Sequence, residues 1–415
     1  MKETIHEQES WGKWKKLAFR VLYTYIILFI VTLLFSSLLE STINWFAKYI
    51  LGYGSEVKLE STGSGDRVFD YVRLTFNVCL TAIIVAVWSL VDRKERDYSR
   101  QYNLLTVIIR VALFLSMLLY GLGKVFKGQF PDHSFEKLVQ TVGELSPMGL
   151  AWTFMGHSHG YNIFIGLAEV LGGTLMLSRK TTTLGSIIIV GVMSNVFMMN
   201  LTYDIPVKIV SAHIVFFSLI LILADQKRLV DFFIRNEQVS KKQIQSTFKQ
   251  ARTNSIVSSI KKIVVVLIVG IVMIQLLVQF DITEQLKEKS EISGLWKTQL
   301  FEKNGELLPP LITDSYRWHY LIVEKKREAV VKKMTGELDR FQMRIDTVEK
   351  QVWFSTKIDS ASLSLSYEIP EANRLELNGI VGGDTLKISL QKRGLDDFRL
   401  INRGFHWINE RPFNH

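Results

Sequence analysis

Eight side chains able to form ion pairs or hydrogen bonds stand where the sequence is otherwise apolar or borders apolar runs: Arg110, Lys124, Glu169, Asn195, Asn200, Asp204, Lys208 and His213. A lone charge at the centre of a membrane helix costs roughly 2.5–3.5 kcal/mol on translocon scales, so such residues pair, reach water or build a site. Arg110 falls in the first half of one apolar run, and Glu169 near the middle of the next, within "GLAEVLGG". Because consecutive runs cross in opposite directions, both charges sit in the inner half or middle of a bilayer, and an Arg110–Glu169 ion pair is expected. Such a pair either only fixes helix packing or marks a ligand or proton site. Ala168 and Gly172 share one helical face, with Gly173 beside them, and would let a neighbouring helix approach closely.

The other six gather at the opposite end. Lys124 closes its run in "YGLGKVFKGQFP". Asp204 and Lys208 flank Pro206 in "MMNLTYDIPVKIVSAHIVFF", four residues apart and on one face if the helix already includes Asp204. Asn195 and Asn200 occupy the outer half of the preceding run, and His213 lies one to two turns deeper in the following one. Single residues at that depth snorkel to water at little cost. Together, around a proline-interrupted junction, they either share a polar pocket at the external interface or snorkel singly, and His213 is either the floor of that pocket or only a hydrogen-bonding contact between helices.

Other chemistry finds little support. "GHSHG" sets His157 and His159 two apart, but two histidines without a third ligand make a poor metal site, and no metal is expected. No serine has a nucleophile-elbow context, and no Walker loop or GxGxxG follows a strand. The one cysteine, Cys79, removes disulfide, CxxC, haem-attachment and iron–sulfur chemistry from this chain. Nothing decides for or against enzymatic activity.

The elements that must position these residues are long apolar helices. The 415 residues have a mean hydropathy of +0.17, and the apolar ones cluster in seven runs: 17–39, 71–91, 104–123, 161–178, 183–202, 205–224 and 263–279. Each is long enough, or nearly so, to cross a hydrocarbon core of about 30 Å. The first lacks a cleavage site and reads as an uncleaved anchor. Lys and Arg crowd "KWKK", "DRKERDYSR", "SRKTTT" and residues 226–262, while alternate loops are poorer in them. That bias puts the N-terminus in the cytoplasm and everything after residue 280 outside. It also accounts for the net charge of +10 better than nucleic-acid binding does.

Five parts follow: 1–100, two helices and an external loop; 101–225, a four-helix membrane core; 226–262, a basic cytoplasmic linker; 263–280, a seventh span; and 288–415, an external domain. In the last, "ASLSLSYE" and "TLKISLQK" alternate with period two around the turn "NGIVGGD", which predicts an antiparallel β barrel or sandwich. "SGLWK" is similar to the opening of lipocalin-like barrels, where the Trp plugs one end and a late Arg packs on it. Trp296 with Arg399 or Arg403 would fill those roles, though a core Trp on a first strand explains the pattern as well.

Residues 104–224 resemble the DoxX family, a four-helix membrane module. The matching pieces are Arg110, Gly121 and Lys124, then Glu169, Gly172 and Gly173, then Thr183 and Gly185. "SPMGLAWTFMG", "NLTYDIPVK" and "RGFHWINERPFNH" look like a bacterial branch with extra helices and a C-terminal β domain. The resemblance implies a protein of the bacterial inner membrane, related to quinone-linked oxidoreductase subunits or to assembly factors. One expectation is a quinone or lipid-like ligand at the external end of the bundle, with membrane lipids and a redox protein as partners and no redox centre in the chain itself. The alternative is a non-enzymatic assembly factor whose β domain grips a protein partner, with Phe405, His406 and Trp407 on its surface.

Overall fold

A computed structural model describes residues 11–60, 63–92, 98–239, 265–275, 277–278, 289–356 and 362–414. Most of the linker expected over 226–262 lies outside them. The chain forms two compact units, one of Met1–Phe126 with Gly160–Ser258 and one of Lys127–His159 with Ser259–His415.

The first unit is helical. Its helices are α1 (Lys13–Leu34), α2 (Glu40–Tyr49), α3 (Val68–Val91), α4 (Ser99–Val125), and, beyond the excursion into the second unit, α7 (His159–Leu175), α8 (Thr182–Thr202), α9 (Lys208–Leu223) and α10 (Gln226–Phe233). α1, α3, α4 and α8 are long and apolar enough to cross a membrane. α7, with 17 residues, and α9, with 16, are shorter than the apolar runs suggest. α9 begins three residues later than its run because Pro206 precedes it and a distant carboxylate supplies its cap. Arg20 holds α1 to its neighbours, donating from Nε to the Tyr98 hydroxyl and from a terminal nitrogen to Ser89 Oγ, each at 2.8 Å. The segment between α1 and α3 is more structured than its Gly and Ser imply: Ile43, Phe46 and Ala47 of α2 pack with Val57, Phe69 and Val72.

The second unit is a closed barrel with one long insertion docked on it. Its strands are β1 (Gly294–Lys303), β2 (Glu306–Leu307), β3 (Trp318–Lys325), β4 (Glu328–Lys333), β5 (Leu338–Asp346), β6 (Gln351–Ser355), β7 (Ser362–Glu371), β8 (Arg374–Val381) and β9 (Asp384–Arg393). Each pairs antiparallel with the next along the meander, except that β1 pairs β3 on one side and β9 on the other, while β2 only extends the rim. Eight strands therefore close a barrel and leave no free edge. An interior of that size is filled by side chains. Here Trp296, Phe301, Trp318, Phe354 and Leu377 are among those that fill it.

The GxW strand behaves differently from the lipocalin pattern. Trp296 is buried and donates its indole N–H to the Ile292 carbonyl at 2.8 Å, but the cation over its ring is Lys392, at 5.2 Å. Arg403 instead lies over Phe413, 4.4 Å from the ring centre. Gly294 has φ +140°, and a Cβ there would come within 2.9 Å of the Lys392 Cε, so the glycine leaves room for the lysine to cross to the Trp.

Residues between α4 and α7 belong to this barrel unit. They form α5 (Phe135–Leu138), a 3₁₀ turn at Val142–Glu144, and α6 (Pro147–His157). Three outward-facing barrel residues hold them. Glu324 accepts the Phe135 N–H at 2.7 Å, Lys332 donates to the Val139 carbonyl and to Glu144, both at 2.9 Å, and Arg340 grips Glu136 with both terminal nitrogens at 2.9 and 2.5 Å. Lys332 is only 5% exposed although it points out of the barrel. α11 (Val265–Gln275) is also part of this unit by chain position and falls within the run 263–279.

Candidate functional site

Glu169 does not pair with Arg110. It pairs with Lys124 at 2.9 Å, with the two side chains 1% and 3% exposed. The reason is the axial register of α4 against the antiparallel α7. A Cβ added at Gly121 would come within 2.6 Å of the Gly166 carbonyl, and one at Gly166 equally close to the Gly121 carbonyl. The two backbones are therefore in contact at that level, as small residues permit in membrane helix pairs. Further along the same interface Gly173 faces Met117. That register leaves Glu169 beside the last turns of α4 and brings Arg110 to the other end of α7. There Arg110 donates to the Met176 carbonyl from Nε at 2.8 Å and from a terminal nitrogen at 2.5 Å. A cation at a helix C-terminus satisfies orphan carbonyls and the negative end of the helix dipole. Gly172 and Gly185 also bring α8 close on the other side, where a Cβ at Gly185 would lie 3.0 Å from the Gly172 carbonyl and one at Gly172 would meet the Ile189 side chain at 2.8 Å.

The pair is incomplete in its hydrogen bonding. Glu169 Oε2 takes the Lys124 ammonium, whereas Oε1 is buried with no partner among the described residues. An ammonium has three donors, of which one goes to Glu169, and the ring of Tyr120 lies 5.6 Å from Nζ. Chemically, the site offers a buried donor and a buried acceptor side by side.

The remaining predicted residues do not join it in one pocket. Asn195 and Asp204 are exposed. Asn200 is buried and donates to Ser211 Oγ at 2.9 Å, tying α8 to α9. Asp204 has φ +52° and lies outside α9, yet Lys208 still reaches it at 3.1 Å. His213 accepts the Tyr25 hydroxyl proton at Nε2 (2.7 Å) while Nδ1–H donates to the Ile209 carbonyl (2.7 Å), and its ring stacks on Phe29 at 3.7 Å. The Ile209 carbonyl, an acceptor only, requires the proton on Nδ1.

Several functional candidates escaped the sequence reading. Asp66 is the cap of α9, accepting the N–H groups of Lys208 at 2.6 Å and Ile209 at 2.9 Å. Asp70, Arg73 and Asn77 are all buried on α3. Arg73 pairs with Asp70 at 3.3 Å, and Asn77 donates to Thr32 Oγ1 of α1 at 2.8 Å. Their spacing of three and four residues in "FDYVRLTFN" puts them on one helical face, the signal that would have found them.

Outside the helices, electrostatics concentrate on the docked insertion. Lys332 holds the Glu144 carboxyl below its ordinary range, and Glu136 raises the Arg340 guanidinium. Burial pushes the Glu324 carboxyl up. His133 and His157 stack with ring centres 6.1 Å apart, and among the described residues no three His, Cys, Asp or Glu side chains group as metal ligands.

No family model and no solved structure matches the chain. One curated relative is the uncharacterized protein YwoB of Bacillus subtilis strain 168, 33% identical over 135 residues, which are 32% of this chain and 85% of that protein. With most of that shorter protein matched at this identity, the chain belongs to the YwoB family.

Proposed function

We propose that this protein is a DoxX-like, seven-span protein of the bacterial cytoplasmic membrane, with its N-terminus inside and its barrel outside. Its bundle binds a quinone or lipid-like small molecule at Lys124 and Glu169, toward the external end, as part of a membrane redox or envelope system. The observation that carries this reading is the buried Lys124–Glu169 pair with one carboxylate oxygen unpartnered. A buried ion pair is weak evidence for stability, because desolvation offsets its attraction. Charges inside a membrane protein are by default functional. A ligand carbonyl would accept from Lys124, and a ligand hydroxyl would donate to Glu169 Oε1, which suits the two redox forms of a quinone. Electrons would pass to a partner protein.

The number of spans has independent support. The insertion 127–159 and the barrel share one compact unit, so the chain from α7 to the barrel crosses an even number of times. With α7, α8 and α9 crossing, a crossing by α11 makes that number even, which supports a seventh span. The loops rich in Lys and Arg then fall on the cytoplasmic side.

A second reading is favoured by the barrel itself. Its interior is filled with side chains rather than open to a ligand, and Phe405 and Trp407 of its C-terminal segment are exposed. Those features suit an assembly factor whose barrel binds a protein.

Native mass spectrometry in mild detergent separates the two. A quinone or discrete lipid retained by the wild type and by Asp204→Asn, but lost from Glu169→Gln and Lys124→Met, is the expected result. The same bulk lipid on all four proteins would sink the ligand reading and leave the barrel as bait for a partner.

A further inference from the structure

α10 leaves the bundle at a sharp angle, and its composition is divided by face. α9 and α10 meet at 74° across a short break. The corner is built rather than loose: Asp225, buried at the start of α10, accepts a hydrogen bond from the Thr183 hydroxyl at the start of α8 and pairs with Arg228 at 3.6 Å. Since α8 is long and apolar enough to cross a membrane, its first turn marks one boundary of the bilayer. The bond to Thr183 sets the beginning of α10 at that same level. A helix that turns by 74° away from α9 there runs close to the membrane plane.

The residues of α10 suit that position. At 100° per residue, Leu229, Val230, Phe232, Phe233 and Ile234 cover one side of "QKRLVDFFIR", while Lys227, Arg228, Asp231 and Arg235 cover the other. Phe232, Phe233 and Ile234 are 58%, 68% and 74% exposed, so among the described residues nothing covers this end of the apolar side, while Leu229 and Val230 are half-buried. The charged side is net basic, with three cations against Asp231, which pairs with Arg235 at 3.0 Å. Exposed Leu184, Leu219 and Leu223 on the adjoining ends of α8 and α9 continue the same apolar surface onto the bundle.

We propose that α10 is an in-plane interfacial helix whose docking partner is the bilayer: Phe232, Phe233 and Ile234 insert at the boundary of headgroups and acyl chains, and Lys227 and Arg235 face the headgroups and water. An uncharged aromatic side with a polar side opposite is the pattern of helices that lie in the interface rather than cross it. The apolar side continues onto the surface that α8 and α9 turn to lipid. The inference needs α8 to cross the membrane and is independent of any ligand at Glu169.

The test places a fluorophore on a single cysteine in the full chain, with Cys79→Ser as background, reconstituted in phosphatidylcholine nanodiscs containing one quarter phosphatidylglycerol. Phe233→Cys and Ile234→Cys are the apolar-side sites, and Arg235→Cys, which at 100° per residue lies 160° and 100° from them, is the polar-side control. A nitroxide carried just below the headgroup should quench the first two about twofold more than the control, and more than a nitroxide at the chain terminus does. Using two apolar sites keeps the test decisive if one variant folds poorly. Efficient quenching by aqueous iodide at both apolar sites, stronger quenching by the deep nitroxide, or burial of both sites in a self-associated dimer would each overturn the proposal.

Discussion

The assignment of Lys124 rather than Arg110 as the partner of Glu169 can be tested by a double-mutant cycle. At 2.9 Å and an effective dielectric of 20, the Coulombic attraction is about 6 kcal/mol, most of it offset by desolvation of two groups that are 3% and 1% exposed. Removing one member leaves the other charged and buried, which costs about 3–5 kcal/mol. Lys124→Met and Glu169→Gln should therefore each lower the unfolding midpoint by roughly 6–20 °C, at about 2–4 °C per kcal/mol for a unit of this size. Lys124→Met/Glu169→Gln closes the cycle, removes both charges and should recover to within about 1–3 kcal/mol of the wild type, the remainder being the buried amide. Arg110→Gln should also destabilise, by freeing the Met176 carbonyl, but its effect should add to that of Glu169→Gln within about 0.5 kcal/mol. The measurement is unfolding of the purified full chain in mixed micelles, by temperature and by denaturing detergent. Single losses below about 1 kcal/mol, or strong coupling of Glu169 to Arg110 with none to Lys124, would refute the register argument.

Three further outcomes are expected. Asp66→Ala should cost about 1–2 kcal/mol by uncapping α9, whereas Asp204→Ala, nearer in sequence but exposed, should be close to neutral in the same unfolding assay; the reverse order would remove Asp66 from its role. Glu144 is held below its ordinary value of 4.5 by Lys332, so its share of the insertion's docking is complete above that value and fades as pH falls through the lowered one. Amide exchange over 135–144, corrected for its intrinsic pH dependence, should stay slow from neutrality to about pH 5 and accelerate below. In Lys332→Met, tryptic cleavage after Lys137 should be about tenfold faster at neutral pH, the equivalent of about 1.4 kcal/mol of lost docking. Unchanged cleavage would mean that Lys332 does not hold the insertion.

Much of the architecture is set by local features of the chain. Apolar runs long enough to span lipid located α1, α3, α4 and α8 to within a few residues, because hydropathy needs no knowledge of neighbours. Period-two alternation in "ASLSLSYE" and "TLKISLQK" announced strands for the same reason: successive side chains must face opposite sides of a sheet. Charge inside an apolar run marked Glu169 as exceptional before its partner was known, whereas Lys124, one residue beyond the run 104–123, stood where snorkelling is inexpensive.

Which side chains meet was decided only in three dimensions. One helical turn is about 5.4 Å, so Arg110 and Lys124 cannot both reach Glu169, and the choice rests on the Gly121–Gly166 contact that sets how α4 slides along α7. The cap of α9 comes from Asp66, 142 residues away in sequence, and the cation over Trp296 is Lys392 because Gly294 lets it pass. Barrel closure needed β1 to find β9, and the insertion needed the outward faces of β3, β4 and β5 to exist before Glu136 and Glu144 had anything to hold. Sequence fixes the period and polarity of each element; the register between elements, on which every one of these contacts depends, is settled by packing.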